Sequence, residues 1–361
     1  MKIKLSAIFL CFLIFSACKS SDNLNVNSSF LEYRGADISY FKQLEENNVQ
    51  FYKNGKIESL FEILKDAGVN WIRLRLWHSP SDSTNNLENT LSVAKCVKDL
   101  GFKFLLDIHY SDSWADPSSQ TLPLEWEPYD FEKLKNAVSS YTKDVLLSFS
   151  KAGCVPDMVQ TGNEISNGML WPYGKIKEGG DCSDFMALLG TAVTAVRNFS
   201  PYVKIMLHIP CDKDIQRVVW WYSQAEKYCI DYDVIGLSYY SFFTGTDFSI
   251  VSDTVQNLKK QFDKEICIAE TSYPWTLGWN DNENNLVGLE EQLIPGFPAS
   301  REGQQRYLNE LCRMVSSSGG SGVFWWEPQA VSSPTFPSSL ENLTWFDFNN
   351  EYLGIEFQSS F

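Results

Sequence analysis

One pattern constrains this chain more than any other. A short apolar run is followed by a longer segment with apolar residues at helical spacing, and the pair recurs along nearly the whole length. Eight runs read as strands, at 33–37, 70–76, 102–109, 158–163, 203–209, 234–239, 266–270 and 322–326. Between them, segments at 57–67, 87–100, 131–152, 184–199, 215–228, 251–262 and 301–317 read as helices. The first of these aligns Leu60, Phe61 and Leu64 and stops at Gly68. Apolar strands alternating with helices belong to a parallel sheet covered on its outside. Eight units favour a closed barrel over an open doubly wound sheet, and no glycine-rich dinucleotide or phosphate-loop fingerprint follows the first strand. The expected fold is α/β, a (β/α)₈ TIM barrel in a single domain, an architecture that uses ~250 residues or more as one unit. No Pro/Gly/Ser linker divides the middle of the chain.

The amino terminus has a different character. Lys2 and Lys4 precede an apolar run from Leu5 to Phe15, which leads into Ser16, Ala17 and Cys18. A charged start, an apolar stretch too short for a stable membrane span and a small-residue cleavage site make a secretory signal. A cysteine directly after the small residues resembles a bacterial lipobox, in which Cys18 becomes the acylated first residue of the mature chain. Phe15 stands where such boxes more often carry Leu, and an ordinary signal with an incidental cysteine is the alternative. The expected organisation is a signal peptide at 1–17, a polar tether at 18–30 and the barrel domain at 31–361. On this reading the protein is exported and held by a lipid anchor at the outer membrane or cell surface.

Composition narrows the partners. With 44% hydrophobic and 14% aromatic residues, the chain can fill a large core. Its net charge of −15 argues against nucleic acid or an anionic membrane surface as a partner, and against a polyanionic polysaccharide. Neutral polysaccharides remain. Past Cys18 the cysteines are Cys96, Cys154, Cys182, Cys211, Cys229, Cys267 and Cys312, an odd number that leaves at least one thiol free or pairing between molecules. Most fall inside expected helices or strands, where a thiol acts as a small hydrophobe. With no CxxC and three histidines, no zinc site is expected. The chain is read as a monomer without a cofactor.

A barrel brings the C-terminal end of every strand to one face, where active sites of this fold lie. Those ends carry Asp37, Arg73 with Arg75, His109, Asn163 with Glu164, His208, Tyr239 with Tyr240, Glu270, and Trp325 with Trp326. An unpaired carboxylate is costly inside a buried strand, but one opening into a cleft does chemistry. Glu164 and Glu270 each close an apolar strand, and carboxylates paired across a sugar are the working parts of most glycosidases. Bland readings stand beside the others. His208 fits a satisfied core histidine, Arg73 and Arg75 fit a structural salt bridge as well as a catalytic role, and the aromatic residues fit barrel filling.

Longer blocks make the pattern specific. They are Arg34-Gly35-Ala36-Asp37-Ile38-Ser39, the run from Ala67 to Trp77, and Asp107-Ile108-His109-Tyr110-Ser111-Asp112-Ser113-Trp114-Ala115-Asp116-Pro117. Then come Gln160-Thr161-Gly162-Asn163-Glu164, Ile235-Gly236-Leu237-Ser238-Tyr239-Tyr240, the run from Ala269 to Trp275, and Gly322-Val323-Phe324-Trp325-Trp326-Glu327-Pro328. Taken in order they span about residues 33 to 330 and resemble the endo-β-1,4-galactanases of glycoside hydrolase family 53, part of a clan of (β/α)₈ retaining enzymes. The resemblance implies endo cleavage of β-1,4-galactosidic linkages in the (arabino)galactan side chains of pectin. It implies Glu164 as acid/base and Glu270 as nucleophile. Retention requires the two carboxyls to lie ~5–5.5 Å apart.

The remaining candidates bind substrate or tune these two. Arg73 or Arg75, with a hydroxyl from Tyr239 or Tyr240, is expected to hold Glu270 ionised. Asn163 suits the sugar 2-hydroxyl, and His109 and Asp112 suit positions near the −1 sugar. Trp326 is expected to floor that subsite, with Trp77, Trp114 and Trp275 on neighbouring sugars; Asp37 completes the strand-end set. Two stretches depart from the family. Ser81-Asp82-Ser83-Thr84-Asn85-Asn86 replaces an expected glycine-rich patch, and Ser241-Phe242-Phe243 replaces Pro-Phe-Trp. Both line the expected cleft and bear on subsites and product length.

Three alternatives stay open. A mannanase or cellulase of the same clan would keep both glutamates and differ in the cleft loops. A non-catalytic glycan-binding lipoprotein would keep the cleft with a dead site. A structural calcium, held in some relatives, would use the loop Asp281-Asn282-Glu283-Asn284-Asn285, although that loop lacks EF-hand spacing and suits a solvated turn.

Overall fold

The computed structural model describes residues 31–82 and 84–358. The signal segment, Cys18 and the tether lie outside the described residues. Eight parallel strands close a barrel in chain order: β1 (Tyr33–Asp37), β2 (Trp71–Leu76), β3 (Lys103–Ile108), β4 (Met158–Thr161), β5 (Lys204–Pro210), β6 (Val234–Ser238), β7 (Glu265–Thr271) and β8 (Gly322–Trp326). Closure is direct. Gly35 of β1 lies opposite Trp71 of β2 on one side and Phe324 of β8 on the other.

The main helices are α1 (Leu60–Asp66), α2 (Leu87–Asp99), α3 (Phe131–Lys151), α4 (Ser183–Phe199), α5 (Ile215–Lys227), α6 (Ser249–Gln261) and α7 (Arg301–Ser317). Side-chain oxygens of Asn86, Asp130 and Ser300 accept from the backbone N–H three residues on and start α2, α3 and α7. Apolar stripes then face the barrel; α3 buries Leu134, Val138, Val145, Leu146 and Phe149, and the Phe149 ring lies 5.5 Å from that of Phe104 on β3. Each such side chain stabilises the fold by about 1.5–3 kcal/mol relative to exposure.

Two local features differ from the sequence expectation. The segment before α1 is a hairpin: Phe51–Lys53 pairs antiparallel with Lys56–Glu58 through Asn54-Gly55. Both turn residues have positive φ, the geometry an Asn-Gly pair favours in a two-residue turn, so α1 begins at Leu60 rather than at 57. After β8 no eighth helix follows among the described residues. The chain returns instead as loops that bury Trp345, Phe346, Ile355 and Phe357, and the Phe357 N–H donates to Ala67 O beside α1.

Inside the barrel the filling changes along its axis. One zone is apolar: Tyr33, Trp71, Leu105, Met158, Met206, Val234, Cys267, Ala269 and Phe324 form their own cluster. Gly35 is required there, since an added Cβ would lie 1.9 Å from the Phe324 ring. Two residues further along five strands, the inward positions become Asp37, Arg73, Asp107, Gln160 and His208, all buried. The polar layer that carries the strand-end candidates thus lies toward the C-terminal ends of the strands.

All seven described cysteines are unpaired thiols, with Cys96 and Cys229 exposed and the other five buried. Among the described residues no helix is long and apolar enough to cross a membrane.

Candidate active site

Arg73 organises the polar zone. Its guanidinium lies 2.6 Å from Asp37, 2.8 Å from Asp107 and 2.7 Å from Glu270 Oε1, and it donates to Gln160 Oε1 and Asn163 Oδ1 at 3.1 and 2.9 Å. Burial works against this cation, but the charges of Asp107, Glu270 and Asp37 outweigh it and raise its pKa. Burial likewise opposes the Asp107 anion, yet Arg73 and then His109 hold its carboxyl below the ordinary value. His109 Nε2 sits 2.9 Å from Asp107 Oδ2, and burial pushes this imidazole down, toward the neutral form.

Glu270 owes its position to an irregularity. Along β6 and β7 the pairing passes from Leu237 with Ile268 to Ser238 with Glu270, skipping Ala269. The pairing with β8 also slips there. Cys267 and Ala269 belong to the interior cluster, so strict alternation would turn Glu270 outward toward the helices. The bulge re-aims it inward. There Oε1 meets Arg73, and Oε2 accepts from the Tyr240 hydroxyl at 3.1 Å. Burial pushes the Glu270 carboxyl up, and the Arg73 charge and the Tyr240 hydroxyl offset only part of this, so it stays above the ordinary carboxylate value.

Glu164 arrives by a different strained device. Gly162 (φ 92°) turns the chain off β4, and Glu164 itself is left-handed at φ 46°. A non-glycine residue there costs energy that the surroundings must offset, a common trait of functional positions. Its carboxyl is pushed up to about 8, first by burial and then by the charge of Glu270; the Ser238 hydroxyl and the Arg73 charge offset only part. The two glutamates therefore occupy different electrostatic settings within one cavity of about 180 Å³, whose lining also includes Arg75, His109, Trp114, Asn163, Tyr240 and Trp326.

Aromatic rings build one wall. The Arg75 guanidinium carbon lies 4.0 Å from the centre of the Trp114 ring, 5.3 Å from that of Trp77 and 5.1 Å from that of Tyr40. Trp114 meets Trp326 edge-on at 6.2 Å, and Tyr240 meets Trp326 at 5.9 Å. Phe242 and Phe243, the departure noted in the sequence, line the cavity mouth.

Other candidates sit around this centre without lining it. Asp37 is fully buried beneath, shared by Arg73 and the Ser39 hydroxyl. Asp112 accepts the backbone N–H groups of Ser79 and Leu124 and so organises its own loop. Tyr239 points the opposite way from Tyr240, donating to Gly245 O and stacking on Phe248. Trp275 packs on Phe348 and donates to Glu341 O, and Trp77 is buried with its indole N–H toward His109. His208 is a buried bridge, with Nδ1 2.9 Å from Asn163 Oδ1 and Nε2 2.7 Å from Ser238 Oγ. In the 281–285 loop both Asp281 oxygens accept backbone N–H groups, from Glu283 and Ser338. Among the described residues no three His, Cys, Asp or Glu side chains converge where they could hold a metal ion.

One residue escaped the sequence reading. Glu327 follows Trp326, is fully buried, and carries a carboxyl pushed up to about 8 by burial and by Asp37. It lies 3.4 Å from Arg75, and accepts from Tyr40 N and Gln329 Nε2. An acid directly after the last strand was the available signal.

The model of "Glycosyl hydrolase family 53" matches residues 33–355. This chain belongs to that family. An uncharacterized protein of Niallia circulans is 40% identical, over 88% of this chain and 91% of its own. The arabinogalactan endo-β-1,4-galactanase of Cellvibrio japonicus is 36% identical, over 87% of this chain and 86% of its own. The solved GH53 catalytic domain of Ignisphaera aggregans superimposes with a TM-score of 0.85 at 32% identity, covering 92% of this chain and 96% of that one. The family 53 member described here is thus a glycoside hydrolase on a barrel shared with its solved relative.

Proposed function

We propose that this family 53 protein is an endo-β-1,4-galactanase, cleaving galactosidic linkages within the (arabino)galactan side chains of pectin with retention of configuration. Glu164, keeping its proton up to about pH 8, gives it to the glycosidic oxygen while Glu270 attacks the anomeric carbon. The leaving chain departs as an alcohol and a galactosyl-Glu270 ester remains. Glu164, now a carboxylate, takes a proton from water as that water's oxygen bonds to the anomeric carbon and Glu270 is released. The observation that carries this assignment is the asymmetry of the pair: Glu270 has a guanidinium at 2.7 Å and a hydroxyl at 3.1 Å, while Glu164 is governed by burial and by the charge of Glu270. Asn163, its oxygen fixed by Arg73 and its Nδ2 by Ala115 O, is oriented for the sugar 2-hydroxyl. Trp114 and Trp326 supply the aromatic surface. The same proposal includes acylation at Cys18 and anchoring outside the cytoplasm.

Protein lacking residues 1–18, given linear β-1,4-galactan with β-mannan and cellulose in parallel and Glu270→Gln as control, tests the activity. Galacto-oligosaccharides from galactan alone, abolished in the variant, are expected. Cleavage of mannan or cellulose instead would assign a different substrate to the same carboxylates, and galactan binding without products would make this a glycan-capture protein. Labelling of the full chain by a fatty-acid probe in cells, lost in Cys18→Ala, tests the anchor.

A further inference from the structure

The loop between β2 and α2 contains the stretch 81–86, which departs from the glycine-rich pattern expected of the family. Its Thr84 and Asn85 are buried. Gln43 Nε2, on the short helix Phe41–Glu46, donates to Thr84 Oγ1 at 2.9 Å, and the Thr84 N–H donates to Asp82 Oδ1 at 3.0 Å. Asn85 is left-handed at φ 51°, a conformation that asparagine tolerates better than most residues.

The contacts of Asn85 converge on the exit of β2. Its carbonyl accepts the Trp77 N–H at 2.9 Å. Its amide meets one group that only donates, Arg75 Nη2, and one that only accepts, the Ser39 carbonyl, and together they fix its orientation. The amide oxygen therefore accepts from Nη2 at 3.2 Å, and Nδ2 donates to Ser39 O at 2.9 Å. The Ser39 hydroxyl in turn accepts the Arg75 N–H at 2.8 Å, so this loop and the segments leaving β1 and β2 close on one another. The Arg75 guanidinium is pinned at two edges: Nη1 lies 3.4 Å from Glu327 Oε1, and Nη2 meets Asn85. Contacts at both terminal nitrogens set the plane of such a group as well as its place. That group lies 4.0 Å from the centre of the Trp114 ring in the wall of the catalytic cavity, while Asn85 sits behind the lining.

We propose that Asn85 is a positioning residue of the galactan cleft, holding the Arg75 guanidinium against Trp114 so that the indole is set for a sugar ring. The proposal rests on the galactanase reading above. It is tested with Asn85→Gly, which keeps the left-handed turn and the carbonyl for Trp77 and removes only the amide. On linear galactan kcat/KM is expected to fall roughly fivefold, carried by KM with kcat nearly unchanged, since both carboxylates are untouched. With Arg75→Lys already in place, Asn85→Gly should cause little further loss, because the planar group it holds has been removed. Tryptophan fluorescence should shift in Asn85→Gly, and should not shift when the same change is made in Trp114→Phe protein. Asn85→Asp keeps an oxygen for Arg75 and tolerates the left-handed turn, so its kcat/KM should stay near wild type. Thermal melting checks that each variant is folded at the assay temperature, and Asn85→Asp supplies the answer if Asn85→Gly melts early. A wild-type KM in Asn85→Gly, or losses that multiply in full with Arg75→Lys, would overturn the positioning role. So would a loss in Asn85→Asp as deep as in Asn85→Gly. Wild-type protein inert toward galactan would overturn the activity instead, and the Trp114-dependent fluorescence shift would then decide by itself whether Asn85 positions Arg75.

Discussion

The Arg75 guanidinium carbon lies 4.0 Å from the centre of the Trp114 ring, while Nη1 of the same group lies 3.4 Å from Glu327 Oε1. A buried acid at the end of β8, on the other flank of β1 from Arg75, thus helps place an aromatic wall of the cleft through one planar cation. Lysine carries the charge but not the plane. Arg75→Lys is therefore expected to lower kcat/KM on galactan by roughly tenfold and to change the Trp fluorescence of the cleft. Wild-type values for both would remove Arg75 from substrate placement.

Glu270→Gln removes the nucleophile and keeps an oxygen for Arg73 and Tyr240. Galactan turnover should fall by at least about 10⁴-fold, with no loss of melting temperature, since one of three acids crowding Arg73 has become neutral. A variant with a tenth of the wild-type rate would reassign the nucleophile.

The stereochemistry is read directly. Proton NMR of the first product released from a galacto-oligosaccharide should show the β anomer before mutarotation. An α anomer would make the reaction inverting, with the carboxyl groups ~6.5–9.5 Å apart to admit water between them.

The pH profile follows from Glu164. The acid must be protonated, so kcat/KM on galactan should fall as pH rises through about 8, and fall again in acid as Glu270 takes up a proton. With a dinitrophenyl galactoside, whose leaving group departs without a proton, the alkaline limb should vanish. If it persists, some group other than Glu164 sets that limb.

Glu327 makes a stability prediction of opposite character. Its carboxyl is raised from 4.5 to about 8 in the folded protein, which therefore holds a proton that the unfolded chain has lost. That stabilisation is complete below pH 4.5 and drains away as pH rises through about 8. Glu327→Gln cannot ionise, so its stability relative to wild type should grow with pH, by about 4–5 kcal/mol up to the top of that range. Denaturant melts at several pH values measure this, and a constant difference would refute it.

Gly35→Ala should destabilise the barrel by about 1–3 kcal/mol, because the new methyl overlaps the Phe324 ring. Adding Phe324→Leu should recover part of the loss, and a lack of recovery would place the strain elsewhere.

What was legible in the sequence follows its periodicities. The strands and helices of the barrel were readable because each apolar run is buried on both faces and each helix on one. Strand ends named Arg73, Glu164 and Glu270 for the same reason: the fold gathers those ends. The hairpin at Phe51–Glu58 carried a local signal, Asn54-Gly55, that the neighbouring helical pattern masked. The bulge at Ala269 had none, because register belongs to β6 and β8 as much as to β7. Adjacent residues misled where alternation decides. Tyr239 and Tyr240 follow one another and point opposite ways, so only Tyr240 reaches Glu270. Glu327 needed its partner Arg75, contributed from across the barrel closure, before it could be recognised.

That closure has a consequence for how the molecule is made. β1 is the first strand to leave the ribosome, and one of its two hydrogen-bonding partners, β8, is the last. Until residues 322–326 arrive, two bare sheet edges face water and invite pairing with other chains. A polypeptide stopped short of Trp326 is therefore an aggregation hazard rather than a smaller enzyme.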